Sequence, residues 1–263
     1  MSIVLAGAAG AACALECPER LRVGSSDTPF PPMINGRGPQ PADPPGWAIV
    51  AVREAAHRLG CMAEIQRLPG RRMSLLLEQG GLEFAFFFGA TPERLKAFRF
   101  PLDVMGQPDA ALAPVIGHLA FYVLPGAPPP RGTGWNGAAL APGLRVGVVD
   151  GTTQEQVARG RGWRVETASN FLNALEMLRA GRFELLLATR ESLTADMRDA
   201  GLVELAPVVQ YQPYFVPASA RLWARRADFV RAFWRETCAA VRRAVPDARP
   251  VDCGVAPPAP RHP

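Results

Sequence analysis

Apolar residues fall into two patterns along the chain. Short apolar runs read as buried strands, and stretches where apolar residues recur every three or four positions read as amphipathic helices. Leu21-Arg22-Val23-Gly24 is the first strand, followed by a turn-rich loop at 25–32 and a Gly/Pro-dense segment at 35–46. Ile49, Val52, Ala56 and Leu59 follow helical spacing across 47–59, and Gly60 ends that helix. Residues 63–68 predict a second strand. A short helix over 71–79 turns Met73, Leu76 and Leu77 inward and closes at Gly80-Gly81. The run Phe84-Ala85-Phe86-Phe87-Phe88 has the pattern of a strand buried on both faces of a parallel sheet. Gly89 breaks it, and Thr91-Pro92-Glu93 starts a helix: Thr91 as the cap, Pro92 at the first helical position, Glu93 complementing the dipole. The order βαβαβα predicts a parallel sheet with helical crossovers.

After residue 101 the periodicity lapses, then resumes. Residues 116–124 read as a strand, 125–142 as a Pro/Gly-rich loop and 144–149 as a strand opening a second unit. Asp150-Gly151-Thr152-Thr153-Gln154-Glu155-Gln156 turns into a helix, with Thr153 and Gln156 at capping-box spacing. A strand over 163–166 follows, then a helix capped by Asn170, a buried strand over 183–187 and a helix over 191–200. Residues 208–217 read as an extended segment returning to the first unit. The last helix, 227–244, places Phe229, Val230, Phe233, Trp234, Cys238 and Val241 on one face and arginines mostly on the other, a core-packing helix with a solvated face.

The chain has 263 residues, 48% of them hydrophobic, enough for one large or two medium domains. Its net charge of +5 comes almost wholly from arginine, since Lys96 is the only lysine. The basic residues are scattered and no basic–aromatic module is present, which argues against nucleic-acid binding. Residues 1–14 are apolar, rich in small residues and end Ala12-Cys13-Ala14, so they predict a signal peptide and an exported, soluble protein, although the usual basic start is missing. Four cysteines remain: Cys17, Cys61, Cys238 and Cys253. An even number in an exported chain predicts two disulfides. Pairing 17–61 and 238–253 closes loops worth roughly 4 and 3 kcal/mol; four buried free thiols is the alternative reading. No Cys/His spacing suggests a metal, and no cofactor fingerprint is present.

The candidate chemistry lies at the two strand-to-helix turns. Arg94 falls in the first turn of a helix at the carboxyl end of a strand, where ligands bind in open α/β sheets. A guanidinium beside free backbone N–H groups suits a carboxylate. A surface ion pair is the competing reading, and this stretch supports both. The turn at 149–153 repeats the strand–Gly–Thr–helix pattern, which suggests one ligand held between two helix N-termini.

In that order, Leu21-Arg22-Val23-Gly24…Asp27-Thr28-Pro29-Phe30, Gly46-Trp47…Arg58-Leu59-Gly60, Thr91-Pro92-Glu93-Arg94 and Val146-Gly147-Val148…Gly151-Thr152-Thr153-Gln154-Glu155 resemble the bacterial extracellular solute-binding proteins of family 3. The similarity spans nearly all of residues 20–245. It implies a two-lobe α/β clamshell of the type-2 periplasmic-binding-protein kind, each lobe a mainly parallel sheet flanked by helices. Lobe 1 would be 20–113 plus 211–245, lobe 2 would be 114–210, and 246–263 a Pro-rich tail. It also implies a monomer that binds a small-molecule solute in the periplasm and delivers it to an ABC-transporter permease. Arg94 matches the arginine that grips the ligand carboxylate, Phe30 the aromatic stacked on the ligand, with Asp27 in the same loop, and Thr152 and Thr153 the donors of lobe 2. Thr91 and Tyr214 complete the expected site. Two positions depart from the pattern. Gly89 stands where amino-acid binders carry a Ser or Thr, and Thr189 where they carry the Asp that pairs with the ligand ammonium. An anionic solute without an amine is therefore expected. Arg72 and Arg190 are candidates for added positive charge in the cleft, each equally readable as a surface residue.

Two other readings share this fold: an accessory or sensor protein of a periplasmic oxidation system, and a dehydratase of the cyclohexadienyl type. For the second, the candidate acids Asp27 and Glu93 are equally explained by hydrogen bonding and helix capping. His57 and His118 assemble no triad by sequence.

Overall fold

The computed structural model describes residues 16–126, 135–193, 195–245 and 253. The predicted signal peptide and all of the tail except Cys253 lie outside them. In chain order the first half contains β1 (Leu21–Ser26), α1 (Trp47–Arg58), β2 (Ala63–Leu68), α2 (Gly70–Glu78), β3 (Phe84–Ala85), β4 (Phe88–Gly89), α3 (Pro92–Ala97) and β5 (Phe98–Arg99). Next come β6 (Val115–Val123), β7 (Arg145–Val149), α4 (Thr153–Gly160), β8 (Arg164–Ala168), α5 (Phe171–Arg179), β9 (Leu185–Thr189) and α6 (Ala195–Asp199). The chain closes with β10 (Val203–Phe215), β11 (Ala218–Ser219) and α7 (Ala220–Ala244).

The strands form two sheets, in the orders β2-β1-β3-β11-β5 and β4-β10-β6-β9-β7-β8. Each carries helices, giving the two-lobe α/β clamshell of type-2 periplasmic binding proteins. Both sheets are mixed. Pairing is parallel where βα units follow one another, as in β1 with β2 and β3, or β7 with β8 and β9. It is antiparallel where the chain returns, as in β10 with β4 and β6, or β11 with β3 and β5.

The first lobe's core packs Val23, Ile49, Val52, Phe84, Phe229, Phe233 and Trp234. Phe84 stacks on Phe233 at 4.1 Å, and the Trp234 indole N–H donates to Val216 O at 2.7 Å, which meets the polar requirement of a buried Trp. The second sheet is buried on both faces. Leu186 and Ala188 meet Phe171, Leu175 and Leu178 on one side, while Leu185 and Leu187 meet Phe121, Trp135 and Val146 on the other. That explains the unbroken apolar character of β9. Disulfides join Cys17 to Cys61 and Cys238 to Cys253, as the cysteine count predicts. The first ties the entry of β1 to the entry of its neighbour β2.

Several elements differ from the sequence expectation. The Phe-rich run is two strands, not one: β3 pairs with β1 in the first sheet, and β4 pairs with β10 in the second. Phe84 and Phe86 enter one core, Phe88 another, so burial on all sides comes from a chain changing sheets. Residues 191–200 form no single helix. A 3-10 turn at Arg190–Ser192 and the short α6 share the segment. The last helix starts earlier, at Ala220 under a Ser219 cap, and kinks at Arg226, the one non-helical residue within it. At α4 the cap is Thr152, whose Oγ1 accepts from Glu155 N at 3.3 Å, and not Thr153. At α3, Thr91 holds the cap position but makes no side-chain cap bond.

Candidate functional site

The cleft between the sheets encloses a cavity of about 530 Å³. Its first-lobe wall comes from the loop after β1, which carries Asp27, Thr28, Phe30, Met33 and Ile34. A buried arginine that the sequence reading overlooked holds that loop in place. From β2, Arg67 donates to Ser26 O, Asn35 O, Gly36 O and Gln40 O, four carbonyls on one loop. Burial lowers its pKa, and the charge of Asp27 partly offsets this. Only a sequence signal such as a lone Arg in an otherwise half-buried strand could have marked it.

Arg94 reaches the cavity from α3 and is 7% exposed. Its Nη1 donates to Thr153 Oγ1 at 2.8 Å and to Gly89 O at 3.3 Å, and its Nη2 donates to Gly151 O at 3.0 Å. The guanidinium lies 4.6 Å over the Phe88 ring. All these hydrogen-bond acceptors are neutral oxygens, and among the described residues no carboxylate forms an ion pair with it. Burial therefore pulls its pKa down to about 10, with Tyr214 and Glu93 opposing weakly. A desolvated cation without a counter-charge is costly unless something anionic meets it.

Behind Arg94 lies a closed set of neutral polar groups. Gln154 Nε2 donates to Thr189 Oγ1 at 2.7 Å, and Thr189 Oγ1 shares a 2.7 Å hydrogen bond with Tyr214 OH. Tyr214 is pushed up to about 12 by burial, so it stays a neutral phenol. Four carboxylates also line the cavity, and three are already matched. Asp150 meets Arg71 at 3.5 Å, Asp196 meets Arg37 at 3.2 Å, and Glu191 meets His118 Nδ1 at 2.5 Å. The fourth, Asp27, contacts Thr28 Oγ1 at 3.4 Å.

Of the predicted site residues, the structure brings Asp27, Phe30, Arg94, Thr152, Thr153, Thr189 and Tyr214 to one cavity. Gly89 and Thr91 are buried behind the lining. Gly89 makes way for the opposite lobe: a Cβ there would meet Thr153 Cγ2 at 2.5 Å and Thr153 Oγ1 at 2.9 Å. Arg72 is exposed outside the cavity, so it adds no charge to it. Arg190 is also absent from the lining, bound to Glu204 by a bidentate ion pair. Of the candidate acids, Glu93 is exposed on α3 and lines nothing. His118, for which the sequence offers no obvious partner, meets Glu191. Phe86, Phe87, Phe88, Gln154 and Phe171 also line the cavity. By sequence the phenylalanines read as core positions and Gln154 as part of a helix start, because periodicity cannot tell a core wall from a cavity wall. Among the described residues no cluster of three His, Cys, Asp or Glu side chains could hold a metal, and no helix is long and apolar enough to cross a membrane.

No family model matches the sequence, and no curated relative does. Solved structures do match. An ancestral arginine-binding protein bound to glutamine superposes with a TM-score of 0.62 at 20% identity, covering 88% of this chain and 94% of that one. The substrate-binding protein of an amino acid ABC transporter gives 0.64 at 15% identity, covering 87% and 98%. A histidine kinase sensor domain similar to periplasmic binding proteins gives 0.62 at 19% identity, covering 86% and 91%. At these identities the likeness establishes the fold.

Proposed function

We propose that this protein is an exported, monomeric solute-binding protein of the family-3 kind, which closes its two lobes on a small carboxylate-bearing solute. The observation that carries this reading is Arg94: a guanidinium at the lobe boundary, buried, over an aromatic ring, and matched only by neutral oxygens. A ligand carboxylate would supply the missing charge through charge-assisted bonds worth about 1.5–3 kcal/mol each. Thr153 would contribute a donor from the second lobe, while Thr152, whose hydroxyl is bonded to Val149 O and Glu155 N, would hold the turn; Phe30 would cover the ligand body, and Asp27, Thr189 and Tyr214 would border it. On this reading the first lobe comprises 20–113 and 211–245, the second 114–210, and no chemistry is performed.

Closure is the output. Contacts from both lobes stabilise the closed form, and a membrane partner recognises it. The amino acid transporter likeness supports an ABC importer as that partner, and the periplasm as the place. The sensor-domain likeness supports a second reading, in which the same closure signals to an accessory or sensing system. Co-purification with a permease rather than with a kinase or oxidase would separate the two.

The test is a thermal-shift screen of the purified protein against carboxylates, amino acids and phosphorylated or sulfonated anions. A ligand at one hundred times its dissociation constant adds about 2.7 kcal/mol of stability. Arg94→Ala should abolish that stabilisation while keeping a cooperative unfolding transition. Binding that survives the substitution would remove Arg94 from this role.

A further inference from the structure

We infer that the cleft selects an aromatic carboxylate without an amino group, its carboxylate on Arg94 and its ring against Phe30 and Phe87. This deepens the carboxylate-binding reading and rests on it. The cavity, at about 530 Å³, is much larger than a carboxylate alone requires and is of the size that encloses an organic ligand. Its lining includes phenylalanines from both lobes, Phe30, Phe86, Phe87 and Phe88 from the first and Phe171 from the second.

Two of those rings have other tasks: Phe88 lies under the Arg94 guanidinium, and Phe86 is 1% exposed within the first lobe's core. Phe30 and Phe87 are only partly buried and also line the cavity, so their free surface faces the ligand. Both are held by neighbouring rings. Phe30 meets Phe171 of the opposite lobe edge-on at 5.3 Å, and Phe87 is backed by Phe86 at 5.3 Å and Trp47 at 6.1 Å. Fixed rings with exposed faces and edges favour a flat aromatic guest over a polar or flexible one.

The polar groups argue against an ammonium. Gln154, Thr189 and Tyr214 are neutral and hydrogen-bonded to one another, and three of the four lining carboxylates are engaged by Arg37, Arg71 and His118. The remaining one, Asp27, accepts from Thr28 Oγ1 at 3.4 Å and sits at the start of the loop that Arg67 holds through Asn35 O, Gly36 O and Gln40 O. An amine carried next to a carboxylate on Arg94 would fall beside Gln154, Thr189 and Tyr214, where it meets neutral groups and no counter-charge.

The inference is tested by calorimetric titration of the full chain with benzoate, 3-phenylpropanoate, phenylalanine and propanoate. The aryl carboxylates should bind at least about tenfold tighter than phenylalanine or propanoate. Phe87→Ala should weaken 3-phenylpropanoate by about tenfold and leave propanoate unchanged. Phe87→Leu keeps apolar volume against Trp47 and should show a smaller loss with an intact fold, which guards against misfolding. Phenylalanine or propanoate binding as tightly as the aryl acids through Arg94 would overturn the aromatic, amine-free assignment while leaving the carboxylate reading standing. No binding of any carboxylate at millimolar concentration would overturn both.

Discussion

Phe88-Gly89-Ala90-Thr91 in one lobe and Val149-Asp150-Gly151-Thr152-Thr153 in the other both lead from a strand into a helix through a glycine and a threonine. By sequence they are near-duplicates. In the structure the second is a self-contained polar unit. Thr152 Oγ1 donates to Val149 O at 2.6 Å and accepts from Glu155 N, while Glu155 Oε2 accepts from Gly151 N at 2.8 Å. The first has no such network. Thr91 Oγ1 is buried without a partner among the described residues, and the turn's polar groups reach across to the other turn instead: Gly89 N donates to Thr153 Oγ1 at 3.3 Å, and the Arg94 guanidinium donates to Thr153 Oγ1 and Gly151 O. One lobe therefore supplies a charge and the other supplies neutral oxygens. The shared motif marks helix starts, while the asymmetry around it makes a binding cleft.

Beyond removing Arg94 outright, the largest effect on this division should come from losing the fork while keeping the charge. Arg94→Lys keeps one positive charge but cannot reach Thr153, Gly89 and Gly151 at once. Affinity for a carboxylate ligand should fall by roughly 1.5–3 kcal/mol, about ten- to a hundredfold, as read by calorimetry. Wild-type affinity in the lysine variant would mean that only charge matters at this position.

Gly89→Ser comes next. It restores the hydroxyl that the resemblance leads one to expect, at a position where a Cβ would lie 2.5 Å from Thr153 Cγ2 and 3.0 Å from Gln212 Nε2. Overpacking of this kind costs about 1–3 kcal/mol, and here the strain falls on the contact between the lobes. The variant should populate a more open form, visible as a larger radius of gyration in X-ray scattering with the unfolding transition retained. An unchanged radius would show that the lobes do not depend on that close approach.

Much of this was legible in the sequence, and the gaps have physical causes. The alternation of strand and helix periods gave the α/β class, because each period reflects which face an element buries, while the two-lobe clamshell was implied by the resemblance. The even cysteine count predicted two disulfides, and Cys17 and Cys61 pair because each precedes one of two strands that lie side by side. Arg94 stood out because its place at a strand's carboxyl end is a local property. The Phe-rich run misled because burial on all sides looks the same whether a strand is sandwiched or its chain passes from one sheet to another. The aromatic lining was invisible for a related reason: Phe87 and Phe171 carry the same sequence signature as core residues, and only the shape of the cleft separates them. Arg72 and Arg190 failed as cleft charges because side-chain direction on a short helix or turn depends on register that no single sequence fixes.

Thr152→Ala sharpens the comparison from the second lobe. It removes the cap bond to Glu155 N and the bond to Val149 O, and caps of this type contribute about 1 kcal/mol. Tm should drop by a few degrees in differential scanning calorimetry. A drop well above that would mean that the turn also supports the lobe contact made by Thr153.

The smallest effect is expected at the matching position of the first lobe, and it is the most discriminating. Thr91 carries the same residue type at the same point of the motif, yet its hydroxyl is buried with no partner and caps nothing. A buried hydroxyl without a hydrogen bond is a desolvation cost that the fold already bears, and replacing it with an isosteric methyl removes the cost and keeps the packing volume. Thr91→Val should therefore leave Tm unchanged or raise it slightly, where Thr152→Ala lowers it. Equal losses at the two threonines would mean that Thr91 caps α3 after all, and the two turns would then differ only in Arg94.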